Sequence, residues 1–405
     1  MKDIQYMNYT SANCSGPAIK LGAGIQVEEA YEAAHQRAAL VVGGDCATVG
    51  VVGGYLQGGG HSALSSLYGL SADHTLEWKV VDGTGQLHTA TPERNADLFW
   101  ALSGGGGGTY GIASSVTMKL HPDVPLTGVA LSFELDLQRP QAFHNAVRKY
   151  HDLVPRVTAR QGMGIAAITN SSFLLTPLTL TRLSRNEALV LIEPLLRELN
   201  DQDVRYQLNL TAAPNWLEYW RRLIKPNPTQ LVENGQYGGW MVPRTVLDTN
   251  ADALQAAVQD VTGAGCTFVG LALDVSLPAG SGVRNSVLLA WRDAALNVIL
   301  SIPWPQRADL HHMKEQADAM TQRCVPALAR LAPQAGAYMN EADPNQPDWK
   351  KAFYGVNYDR LLEIKKKYDP NNIFYAQTAV GSDYWKVDSD GRPCQPQVSR
   401  THDSQ

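Results

Sequence analysis

The segment from Gly43 to Gly60 constrains this chain more than any other. Eight glycines surround a single cysteine in the run Gly43-Gly44-Asp45-Cys46-Ala47-Thr48-Val49-Gly50-Val51-Val52-Gly53-Gly54-Tyr55-Leu56-Gln57-Gly58-Gly59-Gly60. Glycine loses more backbone entropy on ordering than any other residue, so this run makes a poor helix and a weak strand. An ordered fold has to offset that cost. The usual physical reason is close approach of backbone to a bulky group, with N–H groups turned toward anionic or carbonyl oxygens. A flexible linker is the other reading. The interleaved Val41, Val42, Val49, Val51, Val52, Tyr55 and Leu56 argue against it, because linkers are polar.

At 405 residues the chain suits two domains and can bury a large core. Its net charge of −5 gives no support to a nucleic-acid or membrane-surface role. No apolar run reaches the ~18–20 residues of a spanning helix. The start, Met1-Lys2-Asp3-Ile4-Gln5-Tyr6, lacks the continuous apolar core of a signal peptide. Glycosylation sequons begin at Asn8, Asn13, Asn170 and Asn209 and pull the other way, so the compartment stays open. Five cysteines (Cys14, Cys46, Cys266, Cys324, Cys394) show neither metal spacing nor a dense disulfide framework, and the odd count leaves at least one thiol unpaired.

In chain order, Gly16 to Gly24 reads as a strand leaving a turn. Val27 to Leu40 follows at helical spacing, with Val27, Ala30, Tyr31, Ala34 and Ala38 on one face. Leu40-Val41-Val42 is a short strand that delivers the glycine segment. Leu76 to Val81 and Gln86 to Ala90 are strands joined by the turn Asp82-Gly83-Thr84-Gly85. A short helix, Asn95 to Leu102, runs into a second glycine run, Gly104 to Gly108, then Thr109-Tyr110-Gly111-Ile112. Near Pro122 to Leu126 the glycines thin out, which marks a domain boundary. Beyond it, Val129–Asp136, Phe173–Leu180, Phe268–Val275 and Ala295–Ile302 read as strands. Gln141–Val154, Arg185–Leu199 and Leu310–Leu331 read as helices, giving an antiparallel sheet covered by helices. Phe353 to Pro370 is a closing helix with Tyr354, Tyr358, Leu361 and Leu362 on one stripe, and its lysines read as a solvated end. Neither glycine segment is a Gly-x-Gly-x-x-Gly opening a helix after a first strand, which disfavours a nicotinamide dehydrogenase. No Ser-His-Asp arrangement or zinc motif supports a hydrolase.

Gly-Gly-Asp-Cys-Ala-Thr-Val-Gly followed by Gly-Gly-Tyr-x-x-Gly-Gly-Gly-His-Ser resembles the flavin-binding segment of the berberine bridge enzyme-like oxidases. These are FAD enzymes of the vanillyl-alcohol-oxidase type, with a PCMH-type FAD-binding domain. Tyr68-Gly69-Leu70-x-x-Asp73, the Asp97-Leu98-x-Trp100-Ala101-Leu102 helix with its glycine run, and the berberine-like block Trp349 to Trp385 extend the likeness over nearly the whole chain. Most relatives carry proline where Ala47 stands. The resemblance implies an α+β fold. Residues 1–125 would be the FAD-binding domain and 126–345 a substrate domain whose sheet roofs the flavin. Residues 346–388 would return to the FAD domain, and 389–405 would be a polar tail. It also implies that full-length relatives carry a further N-terminal part, with a pyrophosphate loop and a second flavin-bonding histidine, ahead of the point matching Met1.

The function this implies is oxidation of an alcohol or amine carbon of a small-molecule substrate, a sugar or secondary metabolite, with O2 as acceptor. The alternative is a non-catalytic remnant that does not retain FAD. In the family the cysteine at the Cys46 position joins the 6 position of the flavin ring. The implied cofactor-binding set is Gly43, Gly44, Cys46, Thr48, Val49, Gly50, Gly53, Gly54, Gly58, Gly59, Gly60, His61, Gly111, Ile112 and Asn357. His61 reads equally as a satisfied polar residue. Family members carry Tyr-x-Asn-Tyr before the closing helix. Here Tyr338-Met339-Asn340-Glu341 puts a glutamate in the last place. Glu341 is the candidate base, with Tyr338 and Tyr358 as alternates.

Overall fold

A computed structural model describes residues 1–12, 14–227, 234–277, 281–388 and 390–394. The sequon at Asn13 and most of the polar tail lie outside the described residues. Strands β1 (Ile4–Thr10), β2 (Ser15–Gly22), β3 (Ala39–Leu40), β4 (Thr75–Val81), β5 (Leu87–Ala90), β6 (Ile112–Lys119) and β7 (His121–Pro122) precede Leu126. Five of them form an antiparallel sheet in the order β1-β2-β6-β4-β5, and β3 pairs with β7. The β4–β5 turn forms where it was expected. The Asp82 carboxylate accepts from the backbone N–H of Thr84 at 2.8 Å and of Gln86 at 3.0 Å, and Gly85 takes φ +82°. Strand β4 turns Trp78 and Val80 inward, as its alternation requires.

Strands β8 (Leu126–Glu134), β9 (Met163–Ile168), β10 (Ser172–Thr181), β11 (Tyr206–Ala213), β12 (Gly235–Pro243), β13 (Thr267–Ala272) and β14 (Ala294–Pro303) build the second sheet. Its order is β11-β8-β10-β9-β13-β14-β12, antiparallel at every pairing. The helices Pro140–Thr158, Arg185–Asp201 and Ala251–Gly263 each bury an apolar stripe. The second of them starts at a capping box. Ser184 Oγ accepts from the Glu187 N–H and the Glu187 carboxylate accepts from the Ser184 N–H, a device worth about 1 kcal/mol. Cys266 and Cys324 form a disulfide, and the other described cysteines, Cys14, Cys46 and Cys394, are free. No helix among the described residues is long and apolar enough to cross a membrane.

Three sequence expectations need correction. The first helix ends at His35, not Leu40, because the chain turns through Ala38 at φ +50° to enter β3. The closing helix runs only over Tyr358–Tyr368. Gly355 at φ +55° breaks it from the turn Lys350–Tyr354. Its lysine run is not wholly solvated. Lys366 and Lys367 are exposed, but Lys365 is buried, donating to Asp369 Oδ2 at 2.5 Å and to the carbonyls of Thr109 at 2.8 Å and Phe374 at 2.7 Å. Burial lowers the Lys365 ammonium pKa, against the pull of Asp369. With Lys367 on Asp97 at 2.6 Å and Gly83 donating to the Tyr368 carbonyl at 2.8 Å, this pair ties the closing segment to the second glycine run and to the β4–β5 turn.

Candidate active site

The glycine segment folds around Tyr55. The Tyr55 hydroxyl donates to the His61 carbonyl at 2.7 Å and meets Ser71 Oγ at 2.8 Å, while Ser71 Oγ reaches the Val42 carbonyl at 2.7 Å. A Cβ on Gly44 or Gly60 would lie 3.0 or 2.8 Å from the Tyr55 ring, and one on Gly43 would lie 2.8 Å from the Tyr31 hydroxyl. These glycines are therefore required by the chain's own tyrosines. Gly59 and Gly60 also hold φ of +120° and +71°. Gly58 presses against the Asn340 amide, which donates to the Gly54 carbonyl at 2.8 Å.

Gly50, Gly53 and Gly54 differ. A Cβ on any of them would meet nothing within 4 Å. The second glycine run lies beside them. Gly107 comes within 2.9 Å of the Gly54 Cα when given a Cβ, and Gly104 and Gly106 both donate to the Gln57 carbonyl, at 3.0 and 2.9 Å. The two runs thus form one backbone cradle with an open side. Cys46 is exposed. Its loop is fixed from the other sheet's side by Trp220, whose indole N–H donates to the Asp45 carbonyl at 3.0 Å. Burial around the sulfur, then the carboxylates of Asp45 and Glu341, push the Cys46 thiol up.

Glu341 joins this cradle from across the chain. His61 Nε2 lies 2.7 Å from Glu341 Oε1, and Asn297 Nδ2 donates to Oε2 at 3.1 Å. His61 and Asn297 are both buried, while Glu341 keeps about a quarter of its side chain accessible. The Tyr338 hydroxyl accepts from Asn340 Nδ2 at 2.7 Å, and its ring stands 5.5 Å from His61 and 5.3 Å from Trp291. Burial, with Glu341 second, raises the Tyr338 hydroxyl pKa. Burial also raises the Asp45 carboxyl, with His61 opposing it. For His61, burial pulls the imidazole down, but Glu341, by charge and hydrogen bond, and Asp45 outweigh it and hold it above its ordinary value. Asp45 Oδ1 and His61 Nδ1 are buried with no hydrogen-bond partner among the described residues.

The other expected residues stand apart from this cluster. The Tyr358 hydroxyl meets Asp383 at 3.4 Å and Gly381 N–H at 3.3 Å, with Lys350 over its ring, so it packs the closing segment. Asn357 donates to the Ser286 and Val287 carbonyls at 3.1 and 3.3 Å, bracing the loop that covers Gly104. Gly111 is pressed on the Val81 carbonyl, and Ile112 starts β6 with its side chain exposed. Thr48 accepts from Gln26 Nε2 through its carbonyl at 2.9 Å, and the Val49 carbonyl accepts from Val27 N–H at 3.0 Å, so both anchor the segment to the first helix through backbone. Asn297, Trp291 and Asp45 were not foreseen. Asn297 left one signal, an amide within the otherwise apolar run Ala294–Ile299. Asp73 of the Tyr-Gly-Leu motif proves to be an anchor. Arg292 grips it at 2.7 and 2.9 Å, and Asn285 donates to it at 2.7 Å.

An open glycine face, an exposed thiol beside it, and unpaired buried polar atoms at its edge fit the ring end of a flavin.

Comparison with known proteins agrees. Residues 3–91 match the FAD binding domain family, and residues 337–381 match the berberine and berberine like family. The chain is 54% identical over 394 residues to the FAD-linked oxidoreductase patO of Aspergillus clavatus, spanning 97% of this chain and 69% of that one. Against patO of Penicillium expansum the identity is 52%, over 98% and 69% of the two chains. The solved structure of the VAO-type flavoprotein MtVAO615 from Myceliophthora thermophila C1 is similar with a TM-score of 0.90 at 33% identity, covering 98% of this chain and 73% of that one. The expected α+β PCMH-type fold, FAD as cofactor and an oxidoreductase activity stand together on these likenesses, and the chain belongs to the berberine bridge enzyme-like FAD-linked oxidoreductases of the vanillyl-alcohol-oxidase type.

Proposed function

We propose that this enzyme oxidises an alcohol or amine carbon of a sugar or secondary metabolite, with O2 as acceptor and Glu341 as the base. The observation that carries this reading is the meeting of Glu341 with His61 at the edge of the cradle that presents Cys46. A relative named as a VAO-type flavoprotein oxidase, from Thermothelomyces thermophilus and 36% identical over 393 residues, supports oxygen as the acceptor. We take residues 1–125 as the FAD-binding domain, 126–345 as the substrate domain and 346–388 as the returning segment.

FAD, when bound, supplies the two-electron acceptor. Gly50, Gly53, Gly54 and Gly108 would hold it, with Cys46 as tether through Sγ. The remaining work falls to side chains. Glu341 keeps one edge accessible and takes the proton from the substrate hydroxyl or ammonium. Tyr338 and Trp291 form an apolar wall that limits water. A positioned general base contributes about 10²–10⁴-fold. Glu341→Gln keeps the shape and a hydrogen-bonding side chain but removes the base. With an alcohol that reduces the wild-type flavin, anaerobic stopped flow should show reduction slowed by about that factor. An unchanged rate would remove Glu341 from this role.

A further inference from the structure

Glu341 differs from an ordinary surface glutamate in that both its oxygens are claimed from opposite sides of the domain boundary. Oε1 is held by His61 at the end of the glycine segment, and Oε2 by Asn297 on β14, the strand next to the edge of the second sheet. His61 is itself fixed. Its carbonyl is held by Tyr55, and its ring is walled by Tyr338 at 5.5 Å and Trp291 at 6.3 Å.

We propose that His61 is the positioning residue for Glu341, holding the carboxylate in its productive orientation while neutral and switching it off when the imidazole takes a second proton. The inference rests on the reading of Glu341 as base. In the neutral state His61 donates its Nε2 hydrogen to Oε1, which leaves the carboxylate lone pairs for the substrate proton. On turnover the substrate's O–H proton goes to Glu341, and its carbon-bound hydrogen leaves with both electrons to FAD. When His61 is protonated, the imidazolium and Glu341 form an ion pair that holds the carboxylate against His61 and away from the substrate proton. Protonation also places a hydrogen on Nδ1, which is buried and has no acceptor among the described residues. The charge that offsets this cost comes from Glu341 and Asp45. The titratable groups around His61 are Glu341, Asp45, Tyr338 and Tyr55. Cys46 feels the same two carboxylates.

The titration that tests this needs no substrate. Histidine ring NMR on the purified holoenzyme, with His61 assigned by its loss in His61→Gln, follows the His61 midpoint in the wild type and in Glu341→Gln. The inference expects the midpoint to fall by at least one pH unit in Glu341→Gln, because burial then acts with only Asp45 opposing it. Thermal melting against pH is the second readout. A folded-state midpoint above the unfolded one gives stability that is present at acid pH and lost as pH rises through the folded midpoint. Glu341→Gln should therefore lose melting temperature at acid pH more than at alkaline pH. Equal midpoints in the two proteins, or a parallel loss at all pH values, would overturn the proposal. If Glu341→Gln slows flavin reduction as expected yet leaves the His61 midpoint unmoved, only this inference fails. If flavin reduction is also unaffected, the base assignment fails with it.

Discussion

A Cβ on Gly58 would lie 2.5 Å from the Asn340 amide, whereas one on Gly54, four residues earlier, would meet nothing within 4 Å. The two glycines therefore serve different partners, one inside the chain and one outside it. Gly58→Ala should expel Asn340 from its bonds to Gly54 and Tyr338 and cost about 1–3 kcal/mol, read as a lower melting temperature. Gly54→Ala should leave flavin-free stability within about 0.5 kcal/mol, since it strains nothing, yet weaken flavin retention. A Gly54→Ala protein that melts early but keeps its flavin would show that the open side is not the cofactor face. In the sequence both look alike, because spacing shows that glycine is needed and not what fills the space. Cys46, His61 and Glu341 were legible as candidates from their places in motifs. Their convergence was not, since His61 and Glu341 are separated by 280 positions. Asn297 was missed for the same reason. A single amide in an apolar strand says that a partner exists without naming it.

The closing helix shows how one misread side chain changes the meaning of an element. Three consecutive lysines suit a solvated C-terminal turn, but the helical turn carries Lys365 inward onto Asp369. Lys365→Met would leave that carboxylate buried without its cation, a change that typically costs about 3–5 kcal/mol. The loss should appear in thermal melting and should free the Thr109 carbonyl at the exit of the second glycine run. A variant as stable as the wild type would mean that the segment is held by packing alone. Strands with strong alternation or continuous apolar runs, such as β4 and β14, were read within one or two residues. Strands β1, β6, β7, β9, β11 and β12 were not. Strand β1 lies at a sheet edge with no fully buried residue, so its pattern is weak. Strand β12 contains Gly235, Gly238 and Gly239, which argue against a strand by propensity. The fold needs them there: a Cβ on Gly239 would lie 2.4 Å from the Val298 carbonyl and one on Gly238 would lie 2.7 Å from Met320.

The two large sheets meet around a small polar cluster. Asp73 and Arg292 tie the first sheet's loops to the loop before β14. Trp220 pins the Cys46 loop, and Lys365 brings the closing segment back onto Thr109. These contacts join segments far apart in sequence, and each converges on the cradle. The claim on which everything else depends is that this arrangement holds a flavin through Cys46. Absorbance of the purified chain before and after acid precipitation, compared with Cys46→Ala, decides it. Flavin should stay with the wild-type pellet and move to the supernatant in Cys46→Ala. Flavin that remains with the Cys46→Ala pellet, or a wild-type protein that carries no flavin at all, would contradict it.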